Sequence, residues 1–360
     1  IKLNNIMKIC LLGNNLTNLL LANILIKKNI KVDLFYSPTS IVLNTARTIA
    51  ISNENYKFLK KNIKGINSLG WPTKHIKIYS EKDSTSELFE FKNHNQNNFY
   101  LVKYSSFFNV LKKNKLINKI EIKNYDYQML KKKNYDLIIN SVDKNSISKK
   151  YFHRRIQKDY KSLAHTAIIK HKKVENNTAT QIFTKNGPLA FLPLSELETS
   201  IVYSIKGKKN IDLKELIKKY NIKYSITNFG TSNFFELKSS NLRTYYYKNI
   251  LAFGDLLHRL HPLAGQGFNM TIRDIRDLSK LIELKLKNGL ELDNSICEEF
   301  QNKTRHKNYL FSNGIDFVYE FFNFESKLNN NILSKSIKLI GNNRFLNKSF
   351  KNIANRGFEI

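Results

Sequence analysis

The pattern of apolar and polar residues predicts an α/β protein that begins with a strand, a helix and a second strand. An apolar run over residues 8–12 predicts the first strand, and another over residues 31–35 predicts the next one. Between them, a polar loop that begins at Gly13 leads into an apolar helix that continues to about Lys28. This order of elements is typical of a dinucleotide-binding domain.

Shorter elements are predicted over the middle of the chain. Residues 54–61 form a predicted helix for which Ser52 is the expected N-cap, and residues 107–118 form another predicted helix. Predicted strands occupy residues 76–80, 87–91, 137–141, 166–171, 179–184, 189–193 and 200–205. The last four of these strands predict an antiparallel sheet inserted into the first domain, and the chain beyond residue 294 is predicted to be helical.

A loop between a predicted strand and a predicted helix contains the most informative polar residues. The strand covers residues 249–253, and the helix covers residues 270–287. Between them, Gly265 and Gly267 lack side chains, so the backbone can approach a flat ligand closely. The helix start directs free N–H groups and a partial positive charge towards electron-rich ligand oxygens, and Asp255 can accept hydrogen bonds from sugar-type hydroxyls.

His258 and His261 lie three residues apart in the same loop, a spacing that also occurs in metal sites. No carboxylate or cysteine cluster accompanies them in the sequence, so no metal ligand is predicted. Their position in the loop favours a structural role or a contact with the bound ligand.

Size and composition restrict the class of protein. With 360 residues, the chain can bury a large core and is expected to form more than one domain. The two cysteines, Cys10 and Cys297, do not predict a disulfide framework, which favours a cytoplasmic protein. The longest apolar segment, residues 16–26, is too short to span a bilayer.

The net charge of +31 comes from 60 lysine and arginine residues against 29 acidic residues. Such an excess is typical of proteins that bind nucleic acid or an anionic membrane surface. The basic residues are nevertheless spread along the chain without a nucleic-acid-binding motif, so nucleic acid is not an expected partner. A peripheral position at the inner face of the membrane, close to anionic lipid, remains compatible with this charge.

Residues 254–269 resemble the flavin-proximal motif of the FAD-dependent aromatic hydroxylases, in particular the ubiquinone-biosynthesis (polyprenyl-phenol) hydroxylases. The resemblance rests on Gly-Asp, His-Pro, Gly-Gln-Gly and Asn at the family's spacing. Residues 187–194 are similar to the family's Gly-Pro-Leu-Ala-x-Leu-Pro segment. Residues 45–50 and 69–71 are similar to its Arg-x-x-Ala and Leu-Gly-x-Trp region.

The resemblance implies an α/β fold of the para-hydroxybenzoate-hydroxylase type, with an FAD/NAD(P)-binding Rossmann-like domain and an inserted β-rich substrate domain. The implied FAD-binding domain is discontinuous and comprises residues 1–70, 100–150 and 245–295. The substrate domain comprises residues 71–99 and 151–244, and a helical C-terminal region comprises residues 296–360.

The resemblance also implies a set of cofactor residues. In the family, an Asp at the Asp255 position binds the ribityl chain of FAD, the Pro and Gly loop lies against the isoalloxazine ring, and an Arg at the Arg47 position contacts FAD. The predicted cofactor-binding residues are therefore Gly13, Arg47, Gly254, Asp255, Pro262, Gly265, Gly267 and Asn269. No catalytic side chain is expected, because the cofactor carries the chemistry.

The reaction implied by the resemblance is a ring hydroxylation. NAD(P)H would reduce the flavin, O₂ would add at its C4a carbon, and the resulting hydroperoxide would deliver one oxygen atom to an electron-rich phenol. The expected protein is a monooxygenase that hydroxylates a polyprenyl phenol or benzoquinol in ubiquinone biosynthesis, with contacts to the membrane or to other pathway proteins left open. Two alternatives are a non-catalytic or flavin-poor accessory protein of the same pathway and a hydroxylase of a small soluble aromatic compound.

The first strand–helix loop departs from the family pattern. The Gly-x-Gly-x-x-Gly motif keeps only Gly13, and Asn15 and Asn18 replace the other two glycines. Asn15 is expected to reach a positive φ and to crowd the pyrophosphate, and Asn18 is expected to push the helix off the strand. Tyr36 replaces the acid that grips the adenosine ribose, and Asp33 is expected to point elsewhere.

The internal Asp-Gly motif of the family is also eroded. Residues 139–146 occupy its place, with the acid displaced to Asp143 and the glycine absent. Binding of the adenine and pyrophosphate end of FAD is therefore expected to be weak, whereas the residues at the flavin end are intact.

Overall fold

The N-terminal part of the protein is built around a mainly parallel sheet. A computed structural model describes residues 7–37, 46–81, 83–92, 96–207, 211–260 and 266–328 of the chain. The strands of this sheet are β1 (Lys8–Leu12), β2 (Lys31–Tyr36), β8 (Asn118–Glu121), β9 (Leu137–Asn140), β16 (Tyr246–Tyr247) and β17 (Ile250–Ala252), numbered in chain order. Their order is β16-β17-β9-β1-β2-β8, and β16 is antiparallel to β17. The parallel strands β1, β2, β8, β9 and β17 all end at the same edge of the sheet.

A larger, mainly antiparallel sheet combines a hairpin from the first half of the chain with strands from the second half. The hairpin consists of β5 (His75–Ser80) and β6 (Asp83–Lys92). The other strands are β10 (Arg155–His171), β11 (Thr178–Thr184), β12 (Gly187–Pro193), β13 (Glu198–Lys206), β14 (Ile226–Phe229), β15 (Asn233–Leu242) and β18 (His258–Arg259). Their order is β18-β15-β10-β13-β12-β11-β5-β6, and β14 pairs with β10 beside this path.

A small antiparallel sheet and the helices complete the described structure. The small sheet has the order β3-β7-β4 and contains β3 (Thr48–Ser52), β4 (Trp71–Thr73) and β7 (Phe99–Lys103). The helices are α1 (Leu16–Ile26), α2 (Asn53–Asn62), α3 (Tyr104–Lys112), α4 (Tyr127–Lys132), α5 (Ser146–Tyr151), α6 (Leu213–Tyr220), α7 (Gln266–Lys287) and α8 (Asn294–Leu328). Short 3₁₀ turns cover Ile66–Ser68 and Gly254–Leu256.

Helix α1 lies at the centre of the larger hydrophobic core. Its residues Leu19, Leu20 and Leu21 are fully buried, although they point in different directions around the helix. The helix contacts β1 and β2 on one side and α3 and α7 on the other. A helix that is apolar on every side must be covered on every side. The loop that precedes α1 is therefore held in place from within the protein.

Several predicted elements differ from the structure in their bounds. The predicted helix over residues 107–118 is helix α3, which begins at Tyr104 and ends at Lys112. It ends early because Asn114 forms a turn, in which its Oδ1 accepts a hydrogen bond from Leu116 N at 3.0 Å. The predicted strand over residues 166–171 is the last part of the 17-residue strand β10.

Ser52 is at the N-cap position of α2, as predicted, but its side chain makes no capping hydrogen bond. Its backbone N–H donates to Oδ1 of Asn269 at 2.8 Å instead. The remaining predicted strands and helices are confirmed within the described residues, with bounds that shift by a few residues. The helical prediction for the C-terminal region is confirmed as far as Leu328, and residues 329–360 lie outside the described residues.

Asp33 on β2 is the centre of a polar network that is buried against the parallel sheet. Its carboxylate accepts hydrogen bonds from the Tyr135 hydroxyl at 2.6 Å and the Asn118 amide at 2.7 Å, and it lies 3.0 Å from the Lys8 ammonium. Burial acts to raise the pKa of Asp33, but the hydrogen bonds from these groups outweigh it and hold the pKa below its ordinary value. The Asp33 side chain thus connects β1, β2 and β8. This agrees with the expectation that it points away from the cofactor loop.

We predict that Asp33→Asn lowers the free energy of unfolding by about 2–3 kcal/mol near neutral pH, because its partners lose a charged acceptor. A carboxyl group whose pKa is lower in the folded state stabilises the fold above its unfolded-state pKa, and this contribution is lost as pH falls through the folded-state pKa. The difference in free energy of unfolding between the parent and Asp33→Asn should therefore be largest near neutral pH and shrink below about pH 4. Urea unfolding over this pH range measures it, with the exposed Glu121→Gln as control. A difference that does not change with pH would contradict the account.

Candidate functional site

A cleft of about 1170 Å³ opens at the carboxyl ends of β1, β2 and β9. Its walls come from the loop after β1, the end of β2 and the segment after β9, together with residues of α3, α4 and the 3₁₀ turn after β17. In open α/β sheets, ligands bind outside the carboxyl ends of the strands. The volume exceeds the roughly 300–1,000 Å³ of pockets for drug-sized ligands, so the cleft suits an extended ligand.

The cleft brings together predicted cofactor residues from three distant parts of the chain. Those that line it are Gly13, Arg47 and Asp255. Gly254, Gly267 and Asn269 are described but are not part of its wall. Pro262, Gly265 and also His261 lie outside the described residues.

Two glycines have left-handed backbone conformations where the chain passes close to a neighbouring side chain. Gly13 has φ +109°, and an added Cβ would lie 2.4 Å from Cγ2 of Val142. Gly254 has φ +58°, and an added Cβ would lie 2.9 Å from the side chain of Thr17. Both positions therefore require glycine for packing reasons, independently of any ligand.

Arg47 and Asp255 place opposite charges close to Tyr104 in the wall of the cleft. The Arg47 guanidinium lies over the Tyr104 ring, 4.8 Å from its centroid, in a cation–π arrangement. Burial raises the pKa of Tyr104, while Arg47 acts to lower it and Asp255 acts to raise it further. Because Arg47 and Asp255 are themselves exposed in the cleft, one ligand can meet a cation and an anion at this end.

Asn269 is buried and is engaged by protein atoms at the start of α7. Its Nδ2 donates to the carbonyl oxygen of Ala50 at 2.8 Å, and its Oδ1 accepts from Ser52 N at 2.8 Å and from Asn55 Nδ2 at 3.0 Å. These bonds tie α7 to β3 and α2. They account for an asparagine at this position, and a direct contact with a cofactor stays a prediction.

Gly267 lies in the first turn of α7 and borders open space. An atom added at its Cβ position would meet no described atom outside its own helix turn within 4 Å. The neighbouring Phe268 lines the cleft. Among the described residues, no side chain fills the space beside this helix start.

Asn15 in the loop between β1 and α1 does not adopt the predicted positive φ. Its φ is −126°, an extended conformation, and it is the N-cap of α1. Its Oδ1 accepts from Asn18 N at 3.1 Å, and its Nδ2 donates to Oγ of Ser141 at 2.7 Å. The prediction is wrong because the side chain satisfies the helix end, and an N-cap does so from an extended backbone.

Asn18 does not push the helix off the strand, so that prediction is also wrong. The residue is fully buried, and its Nδ2 donates to the carbonyl oxygens of Leu12 and Gly13, each at 2.8 Å. Its Oδ1 has no hydrogen-bond partner among the described residues. The amide thus holds α1 against the end of β1 at the position where the family has a glycine.

A buried polar cluster behind Asp255 is not apparent in the sequence pattern. Nε2 of His258 is hydrogen-bonded to Oδ2 of Asp274, and Oδ1 of Asp274 accepts from Nδ2 of Asn308 at 3.1 Å. Asp274 is only 1% exposed, although it lies in a helix whose apolar residues dominate the pattern. The cluster joins the segment after Asp255 to α7 and α8, and so it supports the backbone that presents Asp255. In the sequence, His258 within the loop was the one residue that indicated such a cluster.

The two ends of the cleft fit FAD to different degrees. At one end, the exposed Arg47 and Asp255 and the open space beside Gly267 suit a flat ring system with an attached polyol. At the other end, the side chain of Asn15 occupies one N–H group of the helix start, and Tyr36 stands where an acid would bind a ribose. The flavin end therefore fits, and the phosphate loop has lost part of its capacity for an anion.

Within the described part of the chain, no group of three or more His, Cys, Asp or Glu side chains is arranged to hold a metal ion. None of its helices combines the length and the apolar character that crossing a membrane requires.

The class of structure follows from comparison with solved proteins. p-Nitrophenol 4-monooxygenase PnpA of Pseudomonas putida superimposes with a TM-score of 0.78 over 99% of both chains, at 10% sequence identity. HpxO of Klebsiella pneumoniae, solved in complex with FAD and uric acid, superimposes with a TM-score of 0.73 over 98% of this chain and 97% of HpxO, also at 10% identity. The predicted fold class is confirmed: the protein has the α/β fold of the FAD-dependent hydroxylases of the para-hydroxybenzoate-hydroxylase type.

Sequence comparison gives more particular relatives. A 3-demethoxyubiquinol 3-hydroxylase of Escherichia coli is 26% identical over 152 residues, which are 39% of this chain and 39% of the relative. The mitochondrial ubiquinone biosynthesis monooxygenase COQ6 of Danio rerio is 24% identical over 192 residues, which are 41% of this chain and 40% of the relative. The predicted resemblance to the ubiquinone-biosynthesis hydroxylases is thereby confirmed. The matches span about two fifths of the length of these curated relatives, and no protein-family model matches the chain.

We predict that Asn18→Ala lowers the free energy of unfolding by about 2 kcal/mol, because two buried carbonyl oxygens lose their donor. Chemical denaturation followed by circular dichroism measures the change. Asn62→Ala is the matched control, since its Nδ2 makes one half-buried bond, to Phe58 O at 2.8 Å, and should cost less than about 1 kcal/mol. Equal effects of the two substitutions would show that Asn18 does not fasten the loop.

Proposed function

We propose that the protein is a flavin-dependent monooxygenase, with FAD as cofactor and NAD(P)H and O₂ as co-substrates. Its substrate is a polyprenyl phenol or benzoquinol, whose ring it hydroxylates in ubiquinone biosynthesis. The observation that carries the proposal is the meeting of Gly13, Arg47 and Asp255 in one cleft at the carboxyl ends of the parallel strands. The fold and the activities for which the two sequence relatives are named support the choice of reaction and substrate.

In this proposal each residue at the flavin end has a defined task. The Asp255 carboxylate accepts hydrogen bonds from the ribityl hydroxyls, and Arg47 supplies positive charge close to the cofactor. Gly267 leaves room for the ring system, and Gly254, Pro262, Gly265 and Asn269 shape the loop around it. When bound, FAD supplies the transfer of electrons from NAD(P)H to O₂ and of one oxygen atom to the ring. The protein's own contribution is to orient the substrate and to exclude water.

The net charge of +31 supports a proposed location for the protein at a membrane surface. A polyprenylated substrate resides in lipid, and an anionic membrane surface attracts a basic protein. A peripheral position at the inner face of the membrane, with contacts to other proteins of the pathway, would bring the cleft to such a substrate.

A second candidate function is a flavin-poor accessory protein of the same pathway. The observation that favours it is the loop between β1 and α1, where the Asn15 side chain takes up an N–H group that the helix start would otherwise offer to a phosphate. A protein with this loop and no retained flavin would keep the fold and lose the chemistry. Flavin content separates the two functions directly.

We predict that the purified protein takes up FAD and shows the absorbance of oxidised flavin between about 350 and 500 nm. Asp255→Ala should weaken FAD binding about ten- to a hundredfold, the effect of removing hydrogen bonds to a charged group. Arg47→Ala should weaken it as well, whereas Arg243→Ala, an exposed arginine that does not line the cleft, should not. Titration of apoprotein with FAD, followed by flavin fluorescence, gives the dissociation constants. A colourless protein that refuses added FAD would leave the accessory function in place of the monooxygenase.

We predict that a polyprenyl phenol, presented in vesicles, accelerates NADPH oxidation by the FAD-loaded protein by about an order of magnitude, since substrate binding aligns the reacting groups. Mass spectrometry should find a product that is heavier by one oxygen atom. A small aromatic acid such as 4-hydroxybenzoate is the comparison substrate. If it stimulates oxidation and the polyprenyl phenol does not, the protein is a hydroxylase of soluble aromatics instead.

A further inference from the structure

Three lysines that are far in sequence from the flavin-proximal motif (residues 254–269) also line the cleft. Lys123 follows β8, and Lys144 and Lys149 lie in the segment after β9 and in α5. All three side chains are exposed to solvent in the cleft. Among the described residues, no ion pair or side-chain hydrogen bond engages any of them.

The neighbouring acidic residues of the cleft, Asp126 and Asp143, form no ion pair with these lysines among the described residues. The Asp143 carboxylate forms an ion pair with Arg155 at 2.6 Å. Asp126 is the N-cap of α4, and its Oδ1 accepts from Met129 N at 2.8 Å. The three lysine charges thus face the cleft together with one carboxylate, Asp126, that has no cationic partner among the described residues.

Two backbone N–H groups of the segment between β1 and α1 and of the first turn of α1 are engaged within the protein. The N–H of Gly13 donates to Phe35 O at 2.8 Å, and the N–H of Asn18 donates to the Asn15 side chain. Strand β2 ends in the uncharged Tyr36, whose hydroxyl donates to the Glu121 carboxylate at 3.4 Å. An anionic group here would gain electrostatic support from the lysines in addition to the N–H groups left at the start of α1.

We propose that Lys123, Lys144 and Lys149 bind the diphosphate of an adenine nucleotide, so that side-chain charge replaces the lost glycine loop. The inference rests on the proposed function, because the nucleotide is the adenosine diphosphate half of FAD. Ammonium groups on flexible stems act as point charges that solvent and salt screen. Affinity for the nucleotide half therefore depends strongly on ionic strength, while affinity for the flavin half does not.

The test compares ADP, FAD and riboflavin as ligands of the full-length apoprotein. Dissociation constants are measured by calorimetry for ADP and by fluorescence for the flavins, at low and at high salt. The test variant is Lys144→Gln/Lys149→Gln, and the matched control is Lys131→Gln/Lys132→Gln. The control removes the same charge from exposed positions of α4 that do not line the cleft.

The test variant should bind ADP and FAD about tenfold more weakly than the parent, the expected effect of two solvent-screened charge contacts. Its affinity for riboflavin should be unchanged, and the control should match the parent for all ligands. High salt should weaken binding of ADP and FAD to the parent and have a smaller effect on the variant.

Two results overturn the inference and leave the proposed function intact. One is FAD binding that is equal in the parent and the lysine variant, and the other is FAD binding by a parent that shows no affinity for ADP. The reverse result, lysine-dependent ADP binding without uptake of either flavin, supports the lysine site and contradicts the proposed monooxygenase.

Discussion

The hydrogen bonds of Asn269 are the constraint on which the candidate site depends. Its amide connects the start of α7 to Ala50, Ser52 and Asn55, which precede it in the chain by more than 200 residues. Arg47 lies immediately before β3, and Asp255 lies in the segment that leads to α7. Because the amide clamps β3 to α7, the two charged groups face the same cleft. A buried amide with all of these bonds fixes the relative position of β3 and α7 more strictly than apolar packing does. Each lost partner would leave an unsatisfied buried group.

A second buried cluster of hydrogen bonds supports the backbone on the other side of Asp255. There, His258, Asp274 and Asn308 form a chain of hydrogen bonds that connects β18 to α7 and α8. Neither cluster lines the cleft, yet both hold backbone that does. Polar residues that are buried behind a site thus define its geometry, whereas the exposed Arg47 and Asp255 define its charge.

The sequence allowed prediction of the elements whose pattern depends on local burial. Strands β1, β2 and β9 are covered on both faces, which leaves continuous apolar runs. Gly13 was predictable as a loop glycine because it is the first glycine of the family's motif, and its left-handed backbone is consistent with that. The roles of Asn15 and Asn18 were not predictable, because they depend on partners brought close by the fold. Ser141, for example, is 126 residues away from Asn15. A family motif shows that a glycine is missing, but it does not show what the replacing side chain will bond to.

These replacements have a consequence for how an extended ligand can be held. A glycine loop grips phosphate through fixed backbone dipoles, at short range and with little dependence on salt. The two asparagines use their amides to close the loop upon itself, which stabilises the start of α1 and withdraws a donor from the cleft. Long basic side chains are a further source of positive potential in the cleft, and their charge acts over a longer range with less geometric precision. In the proposed function, Arg47 and Asp255 would therefore orient the flavin ring, and the lysines would retain the adenylate half of the ligand with less geometric precision.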